Sequence, residues 1–523
     1  MDELNGGALG AALLEDMASK GIDAGLTLSI LNDYNAGLYD SVRPVLAKGV
    51  PPVDGRRVIR LSRRSGEAAA GESPAYAASA RAAEARLGEL GVGMPARAVE
   101  RSGAEILFDS AALEEIGNAL LGRTAFGVLN GGSATSYADS KKNLAFGQSV
   151  FDALAPSYDL LAPLCKDKPK GITPAYIEPD GEPGASFLLL KMRARLIAAL
   201  RARERGEKVD ELFMPLFQMT SVSNDVQLSE AYEEYRKHPL IAPLARKLGL
   251  DGLRWATGLQ PMLAAYTHSS EGRPKRVFDR AYGKPDSGLA LPGGHGQCFR
   301  ILAPVLRSLR DSGAKFAYLG NVDNLGYLPD PVEIAILALS GLPAAFDFSL
   351  RTPVDVKGGI LVETSGETPD GLSRRTVADI GPAISFEEVR RLESGGSSIL
   401  FNCATGLFDL DYLVPRLDEI GRQLPVRFTD QDKDAGRYSQ AEQVTWEVTG
   451  MLPGFLAFAV DKFDRFIAAK LLAETLLTSG AAAGDPRIPP ELAETSTKLK
   501  AALERKLAGP YGLELRGEKW YPS

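Results

Sequence analysis

Several short stretches of this chain set glycines beside residues able to hold anions or a hard cation. Leu129-Asn130-Gly131-Gly132-Ser133-Ala134-Thr135-Ser136 closes an apolar run. Paired glycines let a backbone approach a ligand closely and turn N–H groups toward it. The loop lacks the third glycine of GxGxxG and the basic end of GxxxxGK[ST], which weighs against dinucleotide and P-loop sites. Lys141, Lys142, Lys166, Lys168 and Lys170 follow. Lys170 stands between stiff Pro169 and flexible Gly171, which would hold it at a fixed angle. Asn321-Val322-Asp323-Asn324-Leu325-Gly326 ends another apolar run. An aspartate there suits Mg²⁺, which takes one or two carboxylates plus phosphate oxygens. Its structural alternative is an Asx turn capping the next helix. Leu291-Pro292-Gly293-Gly294-His295-Gly296-Gln297 surrounds a histidine with turn formers. A neutral imidazole in that loop can donate a hydrogen bond to a ligand; a plain surface loop is the alternative. His238, His268 and His295 share no metal-ligand spacing. Asp355-Val356-Lys357-Gly358-Gly359 and Phe401-Asn402 also flank strand-like runs. Lys470 lies in the largely apolar, helix-like stretch RFIAAKLLAETLL, where it meets a ligand or snorkels to solvent.

The elements that must carry these residues alternate. Strand-like runs (TAFGVL, FMPLFQMTS, KFAYLGN, AAFDFSL, GGILVE, SSILFNCATG) are separated by helix-like GASFLLLKMRARLIAALRARERG, CFRILAPVLRSLRDSG and PVEIAILALSG. That grammar predicts an α/β domain with a largely parallel or mixed sheet. Sites in such sheets lie beyond the carboxyl ends of the strands, where the polar loops occur. Residues 1–120 read as an N-terminal helical region, 121–410 as the central domain and 411–523 as a C-terminal region. Residues 480–492 read as a linker and the stretch after them as a terminal helix.

With 523 residues, 60 Lys+Arg and 67 Asp+Glu, the net charge is −7. That balance argues against nucleic-acid binding, which wants a basic field. Cys165, Cys298 and Cys403 share no close spacing, so a reducing compartment is expected. No basic-then-apolar leader and no long apolar run is present. A cytoplasmic protein without a membrane span is expected.

Taken in order, these stretches resemble the UTP–glucose-1-phosphate uridylyltransferase family. LNGG at 129–132 is similar to its opening nucleotide loop, and PLFQMTSVSND at 215–225 to its strand ending in Met-Asn-Ser. PGGHGQ, GNVDNLG, VDVKGGILV, FNCATGLF and RFIAAKLLAETLL resemble its later motifs. The resemblance spans about residues 125–475. It implies a nucleotide-diphospho-sugar transferase (Rossmann-like) fold: a central mixed sheet with flanking helices, an N-terminal extension and a C-terminal region. It implies Mg²⁺-dependent formation of UDP-glucose and pyrophosphate from UTP and glucose 1-phosphate. Leu129, Asn130, Gly131 and Gly132 would lie along the nucleotide. Met219 and Gln260 would sit near the uracil, with Gly294 below it. His295, Gly359 and Asn402 would contact the sugar or its phosphate. Asp323 would hold the metal, and Lys470 would contact the phosphates.

The sequence departs from the pattern at the first loop. Ala134 and Ala138 replace two glycines, and no Pro-Lys follows at once. Pro169-Lys170-Gly171 matches if an insertion occupies about 139–168, making Lys170 the phosphate lysine; Lys141 or Lys142 is the rival. Alanine is costly at a left-handed position, so the loop must have changed shape. A UDP-N-acetylhexosamine or broad UDP-sugar enzyme, a non-catalytic nucleotide-sugar binder and an NAD-dependent oxidoreductase are the alternatives. The last lacks its glycine fingerprint. No hexapeptide periodicity marks the tail, so a monomer or small homo-oligomer is expected rather than a β-helix-mediated octamer.

Overall fold

The computed structural model describes residues 9–40, 47–61, 74–96, 99–132, 134, 137–250, 253, 255–351, 358–367, 373–379 and 384–523. Ser133, Thr135, Ser136, Asp355, Val356 and Lys357 of the motifs above lie outside them. The apolar runs form the strands of one eleven-stranded sheet. Its backbone consists of β1 (Val58–Arg60), β2 (Thr124–Leu129), β3 (Leu216–Ser221) and β4 (Trp255–Gln260). It continues with β5 (Phe316–Asn321), β6 (Ala344–Leu350), β7 (Leu400–Asp409) and β8 (Leu456–Val460). The spatial order is β1-β8-β6-β7-β5-β2-β3-β4. Every neighbouring pair is parallel except those made by β7, which runs antiparallel to β5 and β6. The sheet is therefore mixed.

Continuous apolar strands are buried on both faces, as β2, β3 and β8 are. Side-chain size sets local spacing. A Cβ at Gly127 of β2 would stand 2.0 Å from the Phe217 ring on β3. The long helix α1 (Phe187–Glu204) carries its apolar residues all round and lies almost wholly inside, as such a helix must. Its Lys191, Arg193 and Arg195 are buried too and direct their donors to backbone carbonyls. None of the described helices is long and apolar enough to cross a membrane. Cys165, Cys298 and Cys403 are buried.

The amino-terminal part differs from the helical layer expected. Helices at Ala11–Ser19 and Ala24–Asn35 do form, but β1 joins the central sheet, and Tyr76–Ser79, Val99–Ser102 and Glu105–Phe108 make an antiparallel sheet. Strands of three or four residues are too short to carry a clear periodic signal. The presumed linker is also packed. Ile488 is buried, and the helix Pro490–Ala508 lies along the helix Leu472–Thr478 before a closing hairpin, Leu513–Arg516 with Lys519–Pro522. Lys470 precedes that shorter helix rather than lying on one.

Candidate active site

The loop after β2 is held from behind. The Asn130 N–H donates to Met219 O at 2.9 Å, and the Asn130 carbonyl accepts from Asn224 Nδ2 at 3.2 Å. Asn130 Nδ2 donates to Gln218 Oε1 at 3.3 Å. A Cβ at Gly171 would fall 2.4 Å from Asn130 Oδ1. Asn130 thus fixes the loop from beneath and does not face the cleft. The chain leaves at Gly132 and returns at Lys168–Lys170: Ala134 N–H meets Lys168 O at 2.8 Å and Lys170 N–H meets Gly132 O at 3.2 Å. Between these points runs an excursion containing the helix Gln148–Cys165. Neither Ala134 nor Ala138 is left-handed; that conformation falls on Asp167, at φ 58°. The return brings Lys170 to the cleft, whereas Lys141 and Lys142 line a separate cavity.

The opposite wall is the glycine–histidine loop. Gly294 has φ 81°, and a Cβ there would collide with Gln443 O at 2.4 Å, so only glycine fits. Gln260 Nε2 donates to Gly294 O at 2.9 Å and to Gln297 Oε1 at 2.8 Å. Its Oε1 stays available as an acceptor beside Gly131. The Thr445 N–H donates to His295 Nδ1 at 3.2 Å, which makes Nδ1 an acceptor and puts the proton of the neutral ring on Nε2. Burial, aided by the charge of Lys470, pushes the His295 pKa down to about 4. The ring is therefore a neutral donor at physiological pH.

The third wall follows β5. Lys170 Nζ forms an ion pair with Asp323 Oδ2 and lies 5.0 Å from the centre of the Tyr137 ring. The Ala469 N–H meets Asp323 O at 3.4 Å, so the segment bearing Lys470 is strung beside the aspartate. Lys191 comes up from below, donating to Asn324 O at 2.6 Å and to Tyr327 O. Burial pushes its pKa far down. Asn324 Nδ2 donates to Arg465 O at 2.9 Å. The Arg465 guanidinium pairs with Glu333 at 2.9 Å and Asp347 at 3.1 Å, all three buried.

These walls enclose a cleft of about 250 Å³ at the rim of the sheet. Leu129, Gly131, Gly132, Lys170, Met219, Gln260, Gly294, His295 and Asp323 all line it. Pro292, Asn321 and Val322 of the same loops line it as well, and so does Glu442, which was not foreseen. Glu442 sits on a hairpin strand with no glycine motif, and nothing in its local sequence marks it. Gly359 and Asn402 are not on these walls. Asn402 Oδ1 accepts from the Ala404 N–H at 2.6 Å, while its buried Nδ2 has no partner among the described residues. Lys470 lines an adjoining cavity of about 650 Å³ with Lys141, Lys142, Phe401 and Glu474. Among the described residues no three His, Cys, Asp or Glu side chains gather as a metal cage. Asp323 alone suits a cation that brings phosphate oxygens and water with it.

Residues 277–477 match the family model described as UTP–glucose-1-phosphate uridylyltransferase. Over that stretch the chain is similar to that family. The match covers Gly294, His295, Asp323, Gly359, Asn402 and Lys470; the first glycine loop, Lys170, Met219 and Gln260 stand outside it and are joined to it by the fold. A UDP-glucose phosphorylase from Trypanosoma brucei has a similar fold, with TM-score 0.53, 16% identity and coverage of 89% of this chain and 77% of that one. A point mutant of UDP-glucose pyrophosphorylase from Leishmania major is similar at TM-score 0.53 and 15% identity, covering 90% of this chain and 79% of that one. At such identity the likeness speaks for the nucleotidyltransferase-like fold. No curated protein matches the sequence.

Proposed function

We propose that the protein is a UTP–sugar-1-phosphate uridylyltransferase that forms UDP-glucose and pyrophosphate. The observation that carries this reading is the convergence of the Gly131–Gly132 turn, Gln260, Gly294, His295, Lys170 and Asp323 on one cleft. The base and ribose lie between the Gly131–Gly132 turn and the Gly293–Gly294 turn. Gln260 Oε1 and the Glu442 carboxylate, both acceptors, receive the N–H and hydroxyl donors of that half of the nucleotide. The phosphates point toward Lys170. Asp323 would hold Mg²⁺, which supplies positive charge to the phosphate oxygens when bound.

The sugar phosphate oxygen attacks the α-phosphorus in line, and pyrophosphate leaves from the opposite side. Both reactants are polyanions, so positioning and charge neutralisation dominate. Two unit charges 4 Å apart interact by roughly 4 kcal/mol at an effective dielectric of about 20. Lys170, with Lys470 alongside, therefore lowers the repulsion that keeps the two phosphates apart. His295 Nε2–H donates to the sugar phosphate and, remaining neutral, orients it without adding a titrating charge. No covalent nucleophile is required.

The test incubates the protein with Mg²⁺, each nucleoside triphosphate and a panel of sugar 1-phosphates, and measures pyrophosphate release. UTP with glucose 1-phosphate should give the highest rate. Higher turnover with an N-acetylhexosamine 1-phosphate would move the substrate to that class. Absence of release with every pair would leave a nucleotide-sugar binder.

A further inference from the structure

The geometry points to Gln297 as a positioning residue. Through the amide of Gln260 it makes this cleft prefer a base with an N–H at its pairing edge, uracil over cytosine. The inference rests on the proposed function, because it names what selects the base in that same cleft. Gln260 is on the walls of the cleft; Gln297, 1% exposed, is not.

The oxygen and nitrogen of a carboxamide are nearly equal in size, so packing alone does not decide which of them faces a ligand. Hydrogen bonds decide it here. Gln260 Nε2 commits one N–H to Gly294 O at 2.9 Å and the other to Gln297 Oε1 at 2.8 Å. Turning the amide over would set its oxygen against two acceptors in a buried place. Oε1 is therefore held toward Gly131, where a Cβ would stand 3.2 Å from it. Gln297 is seated for this task. A Cβ at Gly293 would fall 2.3 Å from Gln297 Nε2, so the glycine makes room for the amide. That Nε2 is buried and has no partner among the described residues. An unpaired buried donor is costly, and what the side chain gives in return is the acceptor that holds Gln260. Uracil carries an N–H at N3, which Gln260 Oε1 accepts. Cytosine carries a lone pair there and leaves two acceptors facing each other. A site built to bond one donor rejects the analogue that lacks it.

Isothermal titration of UTP and of CTP, without sugar phosphate, tests this by the ratio of the two dissociation constants. Wild type should bind UTP the more tightly. Gln297→Met keeps the length of the side chain but offers no acceptor oxygen, so the preference for UTP should fall about fivefold or more, the scale of one hydrogen bond. Gln297→Glu keeps an oxygen toward Gln260 Nε2 and should restore most of the preference. A merely structural glutamine would weaken both nucleotides alike. An unchanged ratio in Gln297→Met, folded by circular dichroism, therefore overturns the inference alone. So does a Gln297→Glu variant as unselective as Gln297→Met, or a wild type that binds both nucleotides equally. A wild type that binds neither overturns the proposed function and the inference together. Should Gln297→Met not fold, Gln297→Leu takes its place in the same comparison.

Discussion

His295 shows how one hydrogen bond decides a residue's chemistry. Because the Thr445 N–H points at Nδ1, the proton sits on Nε2. Because the ring is buried near Lys470, it stays neutral. An unfolded histidine takes a proton near 6.5, while this one resists until about 4. Its contribution to folding is therefore full above 6.5 and fades as pH falls toward 4. The expected outcome is a His295 ring carbon resonance that does not move between about pH 8 and pH 5 by NMR, against the usual histidine pKa of ≈ 6.5. A midpoint near 6.5 in that titration would remove the neutral-donor role. The competing lysines can be separated in the same spirit. Lys170→Ala should lower kcat/KM by about 100-fold or more, the scale of losing a preorganised charge, while Lys142→Ala should stay within about threefold. Equal mild losses would mean that neither lysine serves the phosphates.

At the scale of elements, the site depends on how strands and loops are braced. Gly326 is the clearest case: a Cβ there would lie 2.5 Å from the Arg465 backbone, so the loop carrying Asp323 presses directly on the segment before Lys470. Arg465 in turn neutralises Glu333 and Asp347 beneath the sheet. Burial pushes the Asp347 carboxyl up to about 6 even so, and that of Glu333 well upward, with Arg465 opposing both. Removing the guanidinium leaves two buried carboxylates without their cation. Arg465→Met should cost about 3–5 kcal/mol of stability, measured by denaturant unfolding. The sign with pH is set by the raised carboxyl values. In acid these groups hold protons and need no partner, so the loss should shrink between about pH 8 and pH 5. A loss that grows on acidification would contradict the network.

At the scale of the whole molecule, the amino-terminal helices buttress the Gly293–Gly294 wall of the cleft from far away in sequence. Asp16 Oδ2 accepts from the Gly288 N–H at 2.7 Å, and Lys20 donates to Gly288 O at 2.8 Å. The Ala264 N–H donates to Thr27 Oγ1 at 3.2 Å. Leu13, Met17, Ile22, Leu26 and Ile30 close a small core against Leu263, Tyr266 and Val277. That core underlies the ribbon of Met262–Ala264 and Ala290–Pro292, which leads straight into Gly293–Gly294. Met17 is fully buried. Met17→Ala should cost about 2–5 kcal/mol locally. It should lower the melting temperature and raise KM for UTP more than it lowers kcat. An unchanged KM in a destabilised variant would make these helices structural props without influence on the cleft.

The sequence alone determined what depends on neighbouring residues. Apolar runs of strand length became the buried strands, because burial on both faces needs no long-range information beyond hydrophobicity. The loops ending two of them carried Gly131 and Asp323, which line the cleft since loops after parallel strands open on the same rim, whereas Gly294 and His295 reach it from the end of the antiparallel ribbon. The fold brings Lys170 back beside Gly132, joining two stretches that the sequence reading had set together. Tertiary structure alone decided the remainder. Glu442 reaches the cleft through hairpin pairing and packing, which leave no local pattern. The short strand Val58–Arg60 forms because its partner, Ala457–Ala459, lies elsewhere in the chain. Lys191, Arg193 and Arg195 look like solvated charges on a helix, and burial is tolerated only where carbonyls from distant loops converge on them. The pairing of Lys170 with Asp323 joins residues 153 positions apart, and only the closed sheet brings their opposite charges into contact.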